Sequence, residues 1–268
     1  MTKKHIVTDE QLGNFARRQN DLFERVKKGS VPIGYAMDGV QLISEKKLEL
    51  PKSTIKILTA NHHPQTAGGK ITDPKNWRKF VGQQISKWEK FYKIHFDLDL
   101  DFSYIVIPSY PGEGWRLLMI ANVSLEEICV RCEKLFNVRY FIDKSLDEFI
   151  YENERDVSNE RTGAYSVWVK DVQEADENLK NLSANYIKEK FILTETLTER
   201  LIHELDYFTE TKNHPDINNW TLCAGSRYAN SDKVPCVGWA LFADAMDIFQ
   251  CNSKDANNDL RARQVISA

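Results

Sequence analysis

Residues 196–213 read TLTERLIHELDYFTETKN, and their pattern predicts the clearest helix in the second half of the chain. Apolar residues recur there at intervals of three and four, the spacing that places side chains on one face of an α-helix. That face consists of Leu197, Leu201, Ile202, Leu205 and Phe208. His203 lies at its rim, and we interpret it as a surface or boundary residue. A helix with one apolar face needs a sheet or further helices to cover it.

Short strand patterns lie on both sides of this helix. Upstream they cover residues 103–107, 115–120, 138–142 and 164–169, with helices after Ser124 and at 146–151. The run FDLDLDF at 96–102 alternates strictly, which predicts a strand with Asp97, Asp99 and Asp101 on one side. Downstream the strand patterns cover 220–223, 234–239, 248–251 and 263–266, although the apolar run within 234–249 also suits a helix. We expect an α+β fold with a mixed, mainly antiparallel sheet and packed helices.

The first 95 residues carry helix patterns over most of their length. Residues 8–28 and about 32–45 predict a helix pair, which is either a DNA-reading helix-turn-helix or a plain helical hairpin. A short strand pattern at 54–59, a loop, and a helix that begins near Pro74 follow. We therefore predict two parts: a basic, mainly helical region with an N-terminal helical hairpin, residues 1–95, and an acidic α+β domain, residues 96–268.

The charge of the chain is divided unevenly between these two parts. The formal net charge is only -3, but residues 1–95 carry an excess of about nine positive charges and residues 96–268 an excess of about twelve negative ones. Such asymmetry favours a basic part that binds a polyanion or a partner, or else two parts that attract each other within one fold.

The predicted helix at 75–93 is the most basic in the chain, and its cations lie mostly off the apolar stripe. Lysine and arginine interleaved with aromatic residues suit a surface that follows phosphates and stacks on bases. The aromatic residues here occupy the core-facing stripe, however, which leaves charge but few rings on the exposed face. We expect nucleic-acid or protein-partner binding through Lys75, Arg78, Lys79, Lys87, Lys90 and Lys93.

Composition excludes several classes of protein. Hydrophobic residues make up 42% of the chain and charged residues 28%, which is ordinary for a globular protein. No apolar run approaches the ~20 residues that span a bilayer, and the segment MTKKHIVTDEQ lacks the apolar core of a signal peptide. Five cysteines are a sparse, odd number for a disulfide framework, so we expect a cytoplasmic protein of bacterial type without membrane contact.

Motifs for metal binding and catalysis are weak. Cys129 and Cys132 have C-x-x-C spacing, but both lie on the apolar stripe of a helix, so we expect buried thiols and neither metal nor cofactor. Walker, G-x-G-x-x-G, G-x-S-x-G and H-E-x-x-H motifs are missing from the sequence. An enzyme would have to use His62 and His63 together with the aspartates of the 96–102 strand.

A resemblance covers residues 115–268. The phrases AYSVWVKDVQEADENLKNLSA and NWTLCAGSRYANSDKVPCVGW, with the closing DLRARQVIS, resemble a module found in uncharacterised bacterial hypothetical proteins. No known activity accompanies that family, so the resemblance implies no catalytic residue. On physical grounds Ser226, Arg227, Arg261 and Arg263 are the polar candidates. The arginines either clamp an anionic ligand or pair with carboxylates of the acidic part.

The function predicted from the sequence is that of a non-enzymatic binding or regulatory protein of the bacterial cytosol, which contacts a protein partner or nucleic acid. The alternative is an enzyme that acts on an anionic or nucleotide-like substrate through a histidine–aspartate site. An enzyme would gather these groups around one concave site, whereas a binding module would scatter them and present an exposed patch.

Overall fold

The computed structural model describes residues 74–140, 145–151, 164–229 and 231–267. They belong to one compact unit, Lys56–Ala268. The predicted helix pair and the strand at 54–59 lie outside the described residues. So do His62 and His63.

Helices and strands are interspersed as far as Thr211 of the described chain, and strands alone follow. The first group of elements is α1 Pro74–Phe96, β1 Trp115–Ile120, α2 Leu125–Glu133, β2 Asn137–Tyr140, α3 Leu146–Phe149 and β3 Ile150–Tyr151. The middle group is β4 Tyr165–Lys170, a 3₁₀ turn Glu177–Leu179, α4 Ala184–Glu189 and α5 Leu197–Thr211. The last group is β5 Trp220–Leu222, β6 Arg227–Tyr228, β7 Lys233–Ala240, β8 Ala245–Asn252, β9 Leu260–Arg261 and β10 Val265–Ser267.

The strands form three sheets among the described residues. Strands β1, β4 and β10 make an antiparallel sheet in the order β1-β4-β10, with Leu117 opposite Trp168. A five-stranded sheet has the order β2-β8-β7-β5-β9, in which β2–β8 and β5–β9 are parallel pairs. Strands β3 and β6 form a two-stranded ribbon. The α+β prediction is confirmed.

Capped helices cover the sheets and close the main core. Ser124 begins α2 with a capping box to Glu127, as its position in the sequence predicts, and Thr196 begins α5 in the same way with Glu199. The apolar faces of α1, α2 and α5 bury into one core with β1, β4 and the middle of β7 and β8. A second, smaller core lies beneath α4 and the ends of β5, β7 and β8.

The outer edge of β1 is closed by side chains of α1 instead of by another strand. The indole of Trp88 donates to the carbonyl of Leu117 at 3.1 Å, and the hydroxyl of Tyr92 donates to the carbonyl of Met119 at 2.9 Å. The same hydroxyl accepts from the amide of Ala121 at 2.9 Å. These bonds satisfy edge groups that would otherwise be left unpaired in the core.

The prediction of a strand at 96–102 is wrong. Helix α1 continues to Phe96, and Asp97 follows in the left-handed region with φ 56°. The alternation describes burial only in part: Phe102 is buried and Asp97 and Asp99 are exposed, but Leu98, on the apolar side, is exposed as well. A strand also needs a ladder partner, and α1 already occupies the free edge of β1. Residues 103–107 likewise form no strand.

Two other segments differ from the sequence-based expectation. The short helix expected at 146–151 ends at Phe149, and residues 150–151 form β3, because they pair with β6. The ambiguous run at 234–249 is a β-hairpin: β7 and β8 pair antiparallel over their full lengths, with Val237 opposite Ile248.

Substitution Tyr92→Phe tests the edge closure. It removes the hydroxyl alone and leaves the carbonyl of Met119 and the amide of Ala121 unpaired in the core. We expect a loss of about 1–3 kcal/mol in the free energy of unfolding, measured by urea denaturation. Tyr104→Phe is the matched control, because Tyr104 is 38% exposed; equal effects of the two substitutions would contradict this account of the edge.

Candidate functional site

Helix α5 is buried on every side over its first three turns, although its other faces carry ionisable residues. Residues 197–206 are all buried. The sequence predicts the inward position of Leu201, Ile202 and Leu205, and this is confirmed. The interpretation of His203 as a boundary residue is wrong, because its exposed fraction is 0%. Each ionisable side chain of this segment therefore needs a partner inside the protein.

Asp216 is the centre of the first group of partners. Its carboxylate accepts from Arg200 at 3.0 Å, from Arg263 at 2.7 Å and from the hydroxyl of Thr221 at 2.6 Å. Burial alone would raise the pKa of Asp216, but the two guanidinium groups outweigh it and hold the pKa below its ordinary value. The backbone of Asp216 is left-handed, with φ 57°. Its amide donates to Gln173 and its carbonyl accepts from Trp239, which fixes the loop.

Arg200 extends this group along α5. It also donates to Glu204 at 2.8 Å, one helical turn away. The other oxygen of Glu204 lies 2.7 Å from Nδ1 of His214, whose ring stacks on that of Trp239. The side chains from Arg263 through Asp216, Arg200 and Glu204 to His214 therefore form one continuous series of polar contacts.

Glu195 and His203 form a separate pair with unusual protonation. The distance from Glu195 Oε1 to His203 Nδ1 is 2.8 Å, and both side chains have an exposed fraction of 0%. Burial raises the pKa of Glu195 to about 8, although Arg263 and Arg200 oppose the shift. Burial, together with the same two arginines, lowers the pKa of His203 well below its ordinary value. At neutral pH the carboxylic acid of Glu195 therefore donates to a neutral His203.

This pair has the components of an acid–base couple. Its outer atoms, Oε2 of Glu195 and Nε2 of His203, have no hydrogen-bond partner within the described part of the chain. Both atoms are nevertheless buried, so no substrate reaches them in this structure. The pair can hold a proton inside the fold, and that is the chemistry its geometry supports.

A second group of charges joins α5 to α1 and β1. Arg116 donates to Asp206 and Glu210 at 2.6 Å each, and to Asp171 at 2.9 Å. The ammonium of Lys87 lies 2.9 Å from Asp206 and 2.6 Å from Glu210. Arg116 and Lys87 therefore share the same two carboxylates, and the charge of Lys87 is neutralised within the protein.

The other cations of α1 divide into two sets. Lys93 lies 2.8 Å from both Asp97 and Asp99, within the same exposed turn. Arg78, Lys79 and Lys90 are exposed and have no ion pair with any carboxylate of the described residues. Lys75 is the second residue of α1. As predicted, Trp77, Trp88 and Tyr92 face inward, and Phe91 is buried as well.

The four polar candidates of the C-terminal segment are engaged in different internal contacts. The hydroxyl of Ser226 accepts from the amide of Leu197 at the start of α5. Arg227 donates to the carbonyls of Ala224 and Ser226. Arg261 pairs with Glu177 at 2.6 Å, and Arg263 pairs with Asp216. The sequence left two roles open for Arg261 and Arg263, and in the structure both residues pair with carboxylates.

Of the groups named for the enzymatic alternative, the structure describes only the three aspartates, since His62 and His63 lie outside the described residues. Asp97 and Asp99 are exposed and paired with Lys93, while Asp101 accepts from the amide of Ser103. His95 accepts from Arg131, and burial together with that cation lowers its pKa to about 4. No cluster of three or more metal-ligating side chains occurs among the described residues. Cys129 and Cys132 are buried, as predicted, and burial raises the pKa of Cys129.

No protein family model, curated protein or solved structure matches the chain. The resemblance of residues 115–268 to uncharacterised bacterial proteins stays a prediction. None of the helices in the described ranges has both the length and the apolar character needed to cross a membrane.

The sequence reasoning missed Glu195, His203, Glu204 and Asp216 as interacting residues. One signal was present: Glu204 follows Arg200 by four residues, the spacing of a helical ion pair. The contacts of Glu195 and Asp216 depend on the packing of separate segments, which periodicity does not reveal.

The Glu195–His203 pair predicts a pH-dependent stability. The folded-state pKa of Glu195, about 8, lies above its ordinary value of 4.5, so its contribution is full below pH 4.5 and is lost as the pH rises through 8. The pKa of His203 is lowered from its ordinary value of 6.5, so this histidine affects the pH dependence of stability only below about pH 6.5. Between about pH 6.5 and 8, the free energy of unfolding should fall with a slope of up to about 1.4 kcal/mol per pH unit.

Glu195→Gln isolates this effect, because a glutamine amide donates to Nδ1 of His203 as the protonated acid does. Urea denaturation at several pH values should show a flatter pH dependence for this variant than for the wild type. Glu189→Gln, at an exposed glutamate, should retain the wild-type slope. A wild-type slope in Glu195→Gln would show that Glu195 does not hold the proton.

Proposed function

We propose that the chain is a non-enzymatic binding protein that contacts nucleic-acid phosphates through the exposed face of α1. The observation that carries this proposal is the division of cations on that helix. Lys87 and Lys93 are neutralised by carboxylates, whereas Arg78, Lys79 and Lys90 face solvent without a described acidic partner. Cations left in this state attract the phosphates of a polyanion.

The spacing of these cations supports contact along an extended ligand. Lys79 and Lys90 are eleven residues apart, which is about three helical turns and about 16 Å along the axis. Gln83 and Ser86 lie between them on the same face and are exposed. Both can donate to a phosphate oxygen. Arg78 flanks the row and adds a guanidinium group, which binds phosphate in a bidentate manner.

The burial of the acid–base groups supports a binding role over the enzymatic alternative. The Glu195–His203 pair has no exposed surface, and Asp216 is enclosed by two arginines and a threonine. These groups stabilise the unit that carries α1. They are not arranged around a ligand.

The triple variant Arg78→Glu, Lys79→Glu and Lys90→Glu tests the proposal. We expect the wild type to bind DNA or RNA at low salt with an affinity that falls steeply as salt is added. The variant should lose this binding in a fluorescence anisotropy titration. Its melting temperature should change little, because the three side chains make no described ion pair.

Two controls define the result. Lys134→Glu, Lys233→Glu and Lys254→Glu together change the net charge equally at exposed positions outside α1, and this variant should keep most of the affinity. Lys87→Glu should instead lower the melting temperature, since it places a third acidic group beside Asp206 and Glu210. The proposal is wrong if the wild type binds no nucleic acid at low salt, or if both triple variants lose binding equally.

A further inference from the structure

The end of α4 holds a phenylalanine in an unfavourable position. The amide of Phe191 donates to Lys188, and the amide of Ile192 donates to Ile187. This pair of bonds closes a helix with a residue in the left-handed region, a place usually taken by glycine. Phe191 adopts that conformation with φ 55°, although a side chain at Cβ disfavours it.

The ring of Phe191 gains little from the fold in exchange. It is 90% exposed, the highest fraction among the large hydrophobic side chains that the structure describes. The residue therefore combines a strained backbone with an aromatic ring left in water. A position that breaks local rules in two ways without internal compensation is a candidate for a binding role.

Other exposed groups surround Phe191 in the chain. Tyr186 is 43% exposed and Leu193 is 37% exposed. The ammonium of Lys190 lies 5.3 Å from the centre of the Tyr186 ring and 3.9 Å from the carboxylate of the exposed Glu189, and Lys188 is also exposed. We call Phe191, Tyr186, Leu193, Lys190 and Lys188 the Phe191 patch. The patch combines exposed rings with cations, which the exposed face of α1 does not.

A second exposed aromatic, Phe242, is less suited to binding. It is 87% exposed in the turn between β7 and β8, but its backbone lies outside the left-handed region. It therefore lacks the backbone strain found at Phe191, and it serves as a comparison for Phe191.

We propose that the Phe191 patch is a stacking platform for unpaired bases of single-stranded nucleic acid. This inference rests on the proposed function. Every base has a π-face that stacks on an exposed ring, and neighbouring lysines attract the phosphates that connect the bases. In a duplex the bases are already stacked and paired, so the platform favours single strands. The cations of α1 contact phosphates and do not make this distinction.

The substitution Phe191→Gly in the full chain separates a binding role from a structural one. Glycine adopts the left-handed conformation without strain, so the melting temperature should stay equal or rise. Affinity for a labelled oligothymidylate should fall by roughly 5- to 150-fold, the range that loss of one base–aromatic stack gives. Affinity for a labelled DNA duplex of the same length should stay within about twofold of the wild type.

Phe242→Gly is the matched control, because it removes an equally exposed ring from another turn, and it should leave both affinities unchanged. Tyr186→Ala should weaken single-strand binding without affecting the duplex. These results would support the stacking platform.

Failures of the two proposals are distinguishable. If the wild type binds neither single strands nor duplex, both proposals are wrong. If it binds both and Phe191→Gly changes neither affinity, or lowers both equally, the stacking platform is wrong while the role of α1 stands. If Phe191→Gly instead converts a dimer into a monomer in sedimentation and leaves nucleic-acid binding intact, the patch contacts a second copy of the chain, which also overturns the inference.

Discussion

The described unit depends on the complete burial of α5, since a helix with ionisable residues on several faces is stable inside a protein only if those residues are paired. The partners of α5 come from four separate places: α1, β1, the segment before α5, and the loop at 216, which Arg263 between β9 and β10 holds in turn. Removing one member of a buried ion pair costs about 3–5 kcal/mol, because the other charge remains without a partner. The ion pairs therefore fix which elements surround α5 as strictly as the apolar contacts do.

The protonation of Glu195 follows from the same constraint. Arg200 and Arg263 already face the carboxyl groups of Asp216 and Glu204. A further negative charge on Glu195, in a place without contact with water, would be poorly solvated. Burial therefore favours the neutral acid. The protonated carboxyl group of Glu195 donates a hydrogen bond to Nδ1 of the neighbouring His203. The perturbed groups are thus explained by packing, and their presence does not imply catalysis.

The sequence predicts the apolar half of this arrangement well and its polar half poorly. Spacing of three and four residues identified the inward face of α5, and Ser124 marked the start of α2. The same spacing assigned His203 to the rim, because the periodicity of apolar residues identifies one face of a helix and does not show what covers its other faces. Glu195 and Asp216 contact α5 only because the tertiary fold brings them there, so no local sequence pattern predicts these contacts. The prediction of a strand at 96–102 was wrong for a related reason. Alternation of apolar and polar residues does not show whether a sheet offers an open edge, and Trp88 and Tyr92 close the one on β1.

The uneven charge of the sequence is likewise a property of composition. Packing determines which cations pair with carboxylates and which face solvent. Lys87 and Lys90 are three residues apart on one helix. Lys87 lies beside the buried Trp88 and reaches Asp206 on α5, so the acidic part of the chain neutralises it. Lys90 is exposed and makes no ion pair with a carboxylate of the described residues. The two explanations of the charge asymmetry are therefore not exclusive, since internal attraction uses some cations of α1 while others face solvent. A surface left cationic after such pairing carries information about a partner that the net charge of a segment does not.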